Sequence, residues 1–63
     1  MNRIREIRED QGMTQLQLAE RSGLSVGYIC HLENGSRNNP RIKTMSSIAK
    51  VLNKEIGEVF ILD

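Results

Sequence analysis

The chain has 63 residues, with nine Lys and Arg against eight Asp and Glu, and a formal net charge of +1. That length predicts a single domain, residues 1–63, with a small core, because a chain of this size buries only about 60% of its unfolded surface. Its single cysteine excludes an internal disulfide and is typical of a reducing compartment. No apolar run approaches the roughly 20 residues of a membrane span, and no signal peptide is evident, so we expect a cytoplasmic protein that does not insert into membranes.

Hydrophobic spacing and helix stops predict five helices, over residues 2–11, 15–22, 26–34, 42–52 and 56–61. In the first of them, Ile4 and Ile7 share one face and Gly12 provides the stop. Asn53 can adopt the left-handed conformation that ends the fourth. The residues expected in the core are Leu18, Ala19, Leu24, Ile29, Leu32, Ile42, Met45, Ile48, Ala49, Leu52, Ile56, Val59 and Phe60.

Residues 14–35 contain the signals of two short helices joined by a tight turn. Thr14 and Gln17 have the spacing of a capping box, and Ser25 can cap the second helix. Gly23 and Gly35 can take the left-handed conformation that ends each helix. A helix, a turn of three or four residues and a second helix form the layout of a DNA-reading helix-turn-helix.

The ordered set of motif residues resembles the lambda-repressor-like, Xre-type helix-turn-helix family. The residues that carry the resemblance are Thr14-Gln15, Leu18-Ala19, Gly23, Ser25, Ile29, Leu32-Glu33-Asn34-Gly35, Pro40, Ile48-Ala49, Leu52 and Val59-Phe60. The resemblance implies an all-α, compact five-helix lambda-repressor-like DNA-binding domain with the helix-turn-helix at helices two and three. It also implies a sequence-specific transcriptional regulator, a repressor, that binds double-stranded DNA.

In this fold the outer face and N-terminal end of helix three enter the major groove. The candidate base-reading residues are therefore Val26, Gly27, Tyr28 and His31. Tyr28 and His31 can hydrogen-bond to bases or to phosphates, and Val26 can contact a thymine methyl group. Gly27 allows the backbone to approach DNA closely. The absence of an arginine for a bidentate contact with guanine predicts modest direct readout and a larger share from DNA shape.

A polar segment follows helix three, and on its own it would be interpreted as a solvated connector. The net charge is not the strongly basic signature of a nucleic-acid binder, yet Arg37, Arg41 and Lys43 occur there without an acidic residue. By resemblance, the segment lies along the DNA backbone, where contacts fix the register of the protein without reading sequence. The candidate phosphate-contacting residues are Gln15, Ser25, Asn34, Ser36, Arg37, Asn38 and Arg41.

Arg8 is interpreted on its own as a solvated arginine, whereas the resemblance implies a partly buried ion pair between Arg8 and Glu33. Such a pair would tie the first helix to the end of the third. The resemblance also implies a homodimer whose two-fold contact follows helix four. Its candidate residues are Val51, Val59, Ile61 and Leu62, for which sealing of the small core is the alternative.

The sequence does not favour catalysis. His31 adjoins Cys30, but neighbours on a helix point about 100° apart, so a Cys–His nucleophile pair is not expected. Two potential ligands do not build a structural zinc site, and no glycine-rich phosphate loop is present. We therefore expect no enzymatic activity, no metal and no cofactor. The alternative to a DNA-binding regulator is a protein-interaction module, or an antitoxin-like partner, that uses the same fold and binds a protein through its apolar C-terminus.

Overall fold

The computed structural model describes residues 2–35 and 40–60. Its helices are α1 (Ile4–Asp10), α2 (Gln15–Ser22), α3 (Val26–Asn34), α4 (Ile42–Leu52) and α5 (Ile56–Val59). The bounds of α2, α3 and α4 agree with the predicted ranges. By contrast, α1 is shorter at both ends, and α5 is a single helical turn. Within the described residues, no helix is both long enough and apolar enough to cross a bilayer.

One apolar core joins all five helices. In it α2 packs against α3 and α4, α1 packs against α3, and α5 packs against α4. The small side chain of Ala19 is buried in α2. The buried apolar residues are Ile4, Ile7, Met13, Leu18, Ala19, Ile29, Leu32, Ile48, Ala49, Leu52, Val59 and Phe60. Leu24, Met45, Val51 and Ile56 are partly buried against them.

The prediction that Ile42 closes the core is wrong, because its side chain is 73% exposed. Ile42 is the first residue of α4, and it follows Arg41, whose backbone is extended. The apolar face of α4 begins one turn later, at Met45, and includes Ile48 and Leu52. Helical spacing places Ile42 in line with Met45, but the buried part of that face begins only at the second turn of α4.

The two ends of α4 differ in how they are capped, and the C-terminal end follows the sequence signal. Asn53 ends α4 in the left-handed conformation with φ of 58°. Its backbone N–H donates to Lys50 O at 3.1 Å, and Lys54 N–H donates to Ala49 O at 2.9 Å. At the other end of α4, Arg41 occupies the N-cap position without a side-chain capping bond. The start of α4 is thus less well capped than the starts of α2 and α3.

The first and last described segments lie side by side. Asn2 and Phe60 form an isolated antiparallel bridge, and Arg3 N–H donates to Val59 O at 2.7 Å. The Asn2 side chain donates from Nδ2 to Leu32 O at 2.9 Å and accepts from Ile4 N–H at 3.1 Å. These bonds fix the start of α1 against the end of α3.

Candidate nucleic-acid interface

Capping side chains fix the entries of α2 and α3. Thr14 Oγ1 accepts from Gln17 N–H at 3.0 Å, and Gln17 Oε1 accepts from Thr14 N–H at 2.9 Å, which completes the predicted capping box. Ser25 Oγ accepts from Tyr28 N–H at 3.1 Å. Gly23 turns the chain between the two helices with φ of 75°. The turn and its caps therefore define where α2 ends and where α3 begins.

The exposed face of α3 carries three of the four candidate base-reading residues. Val26 is 44% exposed, and Gly27 and His31 are also exposed. Cys30 lies on the same exposed side of the helix. None of these side chains is acidic, so this face, which the structure describes in full, does not repel a phosphate backbone.

Tyr28 differs from the other three candidates. Its side chain is partly buried and packs against the core, whereas helical spacing predicted that it lies on the outer face. An aromatic ring is large enough to reach the apolar cluster from the edge of a helix face. This corrects its position: the ring lies at the border between the core and the outer face.

Four of the seven candidate phosphate-contacting residues lie in the described part of the chain. Gln15 starts α2 and is partly buried, while Ser25, Asn34 and Arg41 are exposed. Ser25 Oγ is the acceptor in its capping bond, so that bond does not use its O–H as a donor. Ser36, Arg37 and Asn38 lie outside the described residues.

Glu33 lies at the centre of a polar cluster between α1, α2 and α3. Its side chain has no solvent exposure, and Arg8, whose side chain is 9% exposed, donates from Nε to Glu33 Oε2 at 2.7 Å. Arg8 Nη2 also donates to Glu33 Oε1 at 3.1 Å, and Arg8 Nη1 donates to Met13 O at 2.7 Å. The two side chains that the resemblance pairs are thus in bidentate contact, and they tie α1 to the end of α3.

Two further donors reach the same carboxylate. Gln15 Nε2 donates to Glu33 Oε1 at 3.0 Å, and Arg5 Nε donates to that oxygen at 3.3 Å. The sequence signals did not predict a role for Arg5. The spacing does indicate this contact with Glu33, because Arg5 precedes Arg8 by three residues and so lies on the same side of α1.

Burial and hydrogen bonding act in opposite directions on the pKa of Glu33. Burial by itself raises the pKa of this carboxyl, but the hydrogen bonds from Arg8, Gln15 and Arg5 outweigh it, so the pKa lies below its usual value. The hydrogen bond to Glu33 raises the pKa of Arg8. Both groups are therefore charged at neutral pH, as a bidentate pair requires.

The candidate dimer residues differ in how far they are buried. Val59 is fully buried in the core, so its side chain presents no surface to a second subunit, and the prediction of a dimer contact there is corrected to core sealing. The turn of α5 directs Val59 inward. Val51 is partly buried and lies against the core, with part of its surface accessible. Ile61 and Leu62 lie outside the described residues.

Two capped helices at a tight turn, with an acid-free exposed face on the second helix, define a helix-turn-helix DNA-binding domain. The chain belongs to the lambda-repressor-like helix-turn-helix family, because the family model described as Helix-turn-helix (HTH_3) matches residues 4–59. The family and the all-α fold predicted from the sequence are thereby confirmed. Members of this family are DNA-binding transcription regulators.

Proteins similar to this chain are named as regulators or repressors. An HTH-type transcriptional regulator of Archaeoglobus fulgidus is 43% identical over 61 residues, which make up 97% of this chain and 86% of that protein. The immunity repressor protein of Bacillus phage phi105 is 35% identical over 57 residues, or 90% of this chain and 39% of the repressor. The crystal structure of SinR, the master regulator for biofilm formation, in complex with DNA has a TM-score of 0.83, 28% identity and coverage of 86% of each chain.

Proposed function

We propose that this DNA-binding regulator represses transcription as a homodimer that places α3 of each subunit in the major groove of a specific operator. The observation that carries the proposal is the exposed face of α3, where Val26, Gly27 and His31 lie without an acidic neighbour on that face. The similarity to SinR, whose solved complex contains DNA, supports double-stranded DNA as the ligand.

Gly27 adds an argument from packing. A Cβ atom built at this position would meet nothing within 4 Å, so nothing in the described part of the fold requires a glycine there. Glycine also weakens a helix relative to alanine by roughly 0.5–1 kcal/mol. A residue that weakens α3 without serving its packing is explained by a ligand that approaches the helix closely, as a base edge does in the major groove.

In this proposal the polar residues around α3 bind the DNA backbone. Gln15, Ser25, Asn34 and Arg41 are the described contributors, and Ser36, Arg37 and Asn38 complete the set. Two copies would place their α3 helices about 34 Å apart, on one face of the duplex. Val51, with Ile61 and Leu62, is the remaining candidate for the two-fold contact. The protein would act in the cytoplasm by occupying the operator, without catalysing a reaction.

Selection from a random duplex library tests the proposal. The purified chain is incubated with the library at near-physiological salt, and bound duplexes are amplified and sequenced. We expect an enriched palindrome whose half-sites are one helical turn apart. A single half-site would retain DNA recognition and reject the stable dimer. No enrichment at low or moderate salt would favour the protein-interaction alternative.

A negative charge introduced at the proposed interface provides a matched comparison for the selection. His31→Glu places a carboxylate on the exposed face of α3 and should abolish enrichment by repelling the DNA. Ser46→Glu adds the same charge to an exposed position of α4, which the proposal leaves outside the reading face. Equal loss in both variants would mean that general charge, and not α3, determines binding.

A further inference from the structure

Arg5 shares an acceptor atom with a residue already proposed to contact DNA. Arg5 Nε lies 3.3 Å from Glu33 Oε1, and Gln15 Nε2 lies 3.0 Å from the same oxygen. Two donors to one oxygen are close neighbours in space. The guanidinium of Arg5 therefore lies beside the first residue of α2, where the proposed function places a phosphate contact.

Most of the hydrogen-bonding capacity of Arg5 faces solvent. Its side chain is 57% exposed, and a guanidinium has five N–H donors, of which only Nε–H has a partner among residues 2–35 and 40–60. Arg8 differs, because it is almost fully buried and uses Nε, Nη1 and Nη2 inside the protein. Arg8 thus has a structural role, whereas Arg5 has donors that remain accessible to a ligand.

The charges in the cluster do not cancel. Glu33 supplies one negative charge, and Arg8 already makes a bidentate pair with it. The guanidinium of Arg5 is therefore an additional positive charge next to Gln15. Glu9 follows Arg5 by one turn, but the ion pairs within the described residues are Arg3–Glu6, Arg5–Glu33 and Arg8–Glu33.

We propose that Arg5 contacts a backbone phosphate of the bound DNA next to the contact made by Gln15, and that Glu33 is the positioning residue that orients both donors. This inference rests on the proposed DNA-binding function. A guanidinium is well suited to the role, because its planar fork matches two oxygens of a phosphate. Glu33 holds the Nε edge, so the outer Nη groups are presented with little loss of side-chain freedom on binding.

Salt-dependent DNA binding tests the proposal with the intact chain. The probe is a fluorescein-labelled duplex of about 20 base pairs and mixed sequence, because a phosphate contact does not depend on sequence. Fluorescence anisotropy gives Kd between about 50 and 200 mM NaCl for the wild type and for Arg5→Gln. Loss of one phosphate contact should reduce the steepness of log Kd against log salt by about 0.9. The ratio of Kd for Arg5→Gln to Kd for the wild type should therefore be about 3.5-fold smaller at the upper end of this salt range than at the lower end.

Arg3→Gln is the matched control. It removes the same charge near the same end of α1, but Arg3 contacts Glu6 and not Glu33. We expect Arg3→Gln to keep the wild-type slope and Arg5→Lys, which retains a charged donor, to restore most of the slope. Circular dichroism should show a Tm for Arg5→Gln close to that of the wild type, because the Arg5 side chain is largely exposed and Glu33 keeps its bidentate pair with Arg8.

The outcomes separate the two proposals. If the wild type binds with a clear salt dependence and Arg5→Gln has the same slope as Arg3→Gln, the role of Arg5 is refuted while DNA binding stands. If the wild-type chain shows no salt-dependent binding to the duplex, both proposals fall. A reduced slope in Arg5→Gln alone, restored by lysine, supports the contact.

Discussion

Glu33→Gln removes the charge from a side chain with no solvent exposure and leaves Arg8 buried without its counter-ion. Breaking a buried pair by removing one partner costs about 3–5 kcal/mol, because the other charge is stranded. A domain of this length is expected to have a total stability of about 3–9 kcal/mol. The variant should therefore lose a large part of its stability. In a domain this small each kcal/mol shifts Tm by about 4–8 °C, so Tm should fall by at least about 12 °C.

Thermal unfolding followed by circular dichroism at neutral pH measures this effect. Glu6→Gln is the control, because it breaks an exposed pair with Arg3 that is worth about 1 kcal/mol or less. The double variant Arg8→Met/Glu33→Gln leaves no stranded charge and should be more stable than the sum of the two single losses predicts. A Tm for Glu33→Gln within about 4 °C of the wild type would refute the buried ion pair, because a loss of about 3 kcal/mol requires a larger shift of Tm.

Three other predictions follow from the structure. The lowered pKa of Glu33 means that its stabilising charge is fully present above the unfolded pKa of about 4.3 and is lost as the pH falls through the folded pKa. On acidification below about pH 4.3, the Tm of the wild type should thus fall more steeply than that of Glu33→Gln, and parallel curves would contradict the assignment. Gly27→Ala should raise Tm by a few degrees because alanine favours the helix, yet weaken binding to the selected operator; unchanged affinity would show that nothing approaches this position closely. His31→Ala should relax preference at one base position by about 1–3 kcal/mol, measured as the ratio of Kd for selected and scrambled duplexes, and equal losses on both would exclude a reading role.

Sequence signals predicted the central helices well because those signals are local. The capping bonds of Thr14 and Ser25 span three residues, and the left-handed caps at Gly23 and Asn53 depend on the backbone of one residue. Each signal therefore depends only on residues that are close in sequence. The bounds of α2, α3 and α4 required no information from the rest of the fold.

Positions that depend on tertiary packing were harder to predict. Helical periodicity does not predict that Ile42 precedes the buried part of α4, or that the ring of Tyr28 packs against the core. The contacts of Arg5 and Gln15 with Glu33 join residues that are 28 and 18 positions apart. Only the packing of three helices brings these donors to one oxygen. The resemblance supplied the partner of Arg8 but not the additional members of the cluster.

The bridge between Asn2 and Phe60 determines when the domain can close during synthesis. The bond from Arg3 N–H to Val59 O joins the first turn of the fold to a residue made after the entire helix-turn-helix. Contacts over such a separation form late, because a long loop must close first. On the ribosome, α2 and α3 can form their capped turns while the chain grows, and α1 can pack on α3 through Arg8 and Glu33. The bond that holds Arg3 forms only after Val59 has emerged. A nascent regulator of this kind therefore lacks its closed DNA-binding form until translation of the domain is complete.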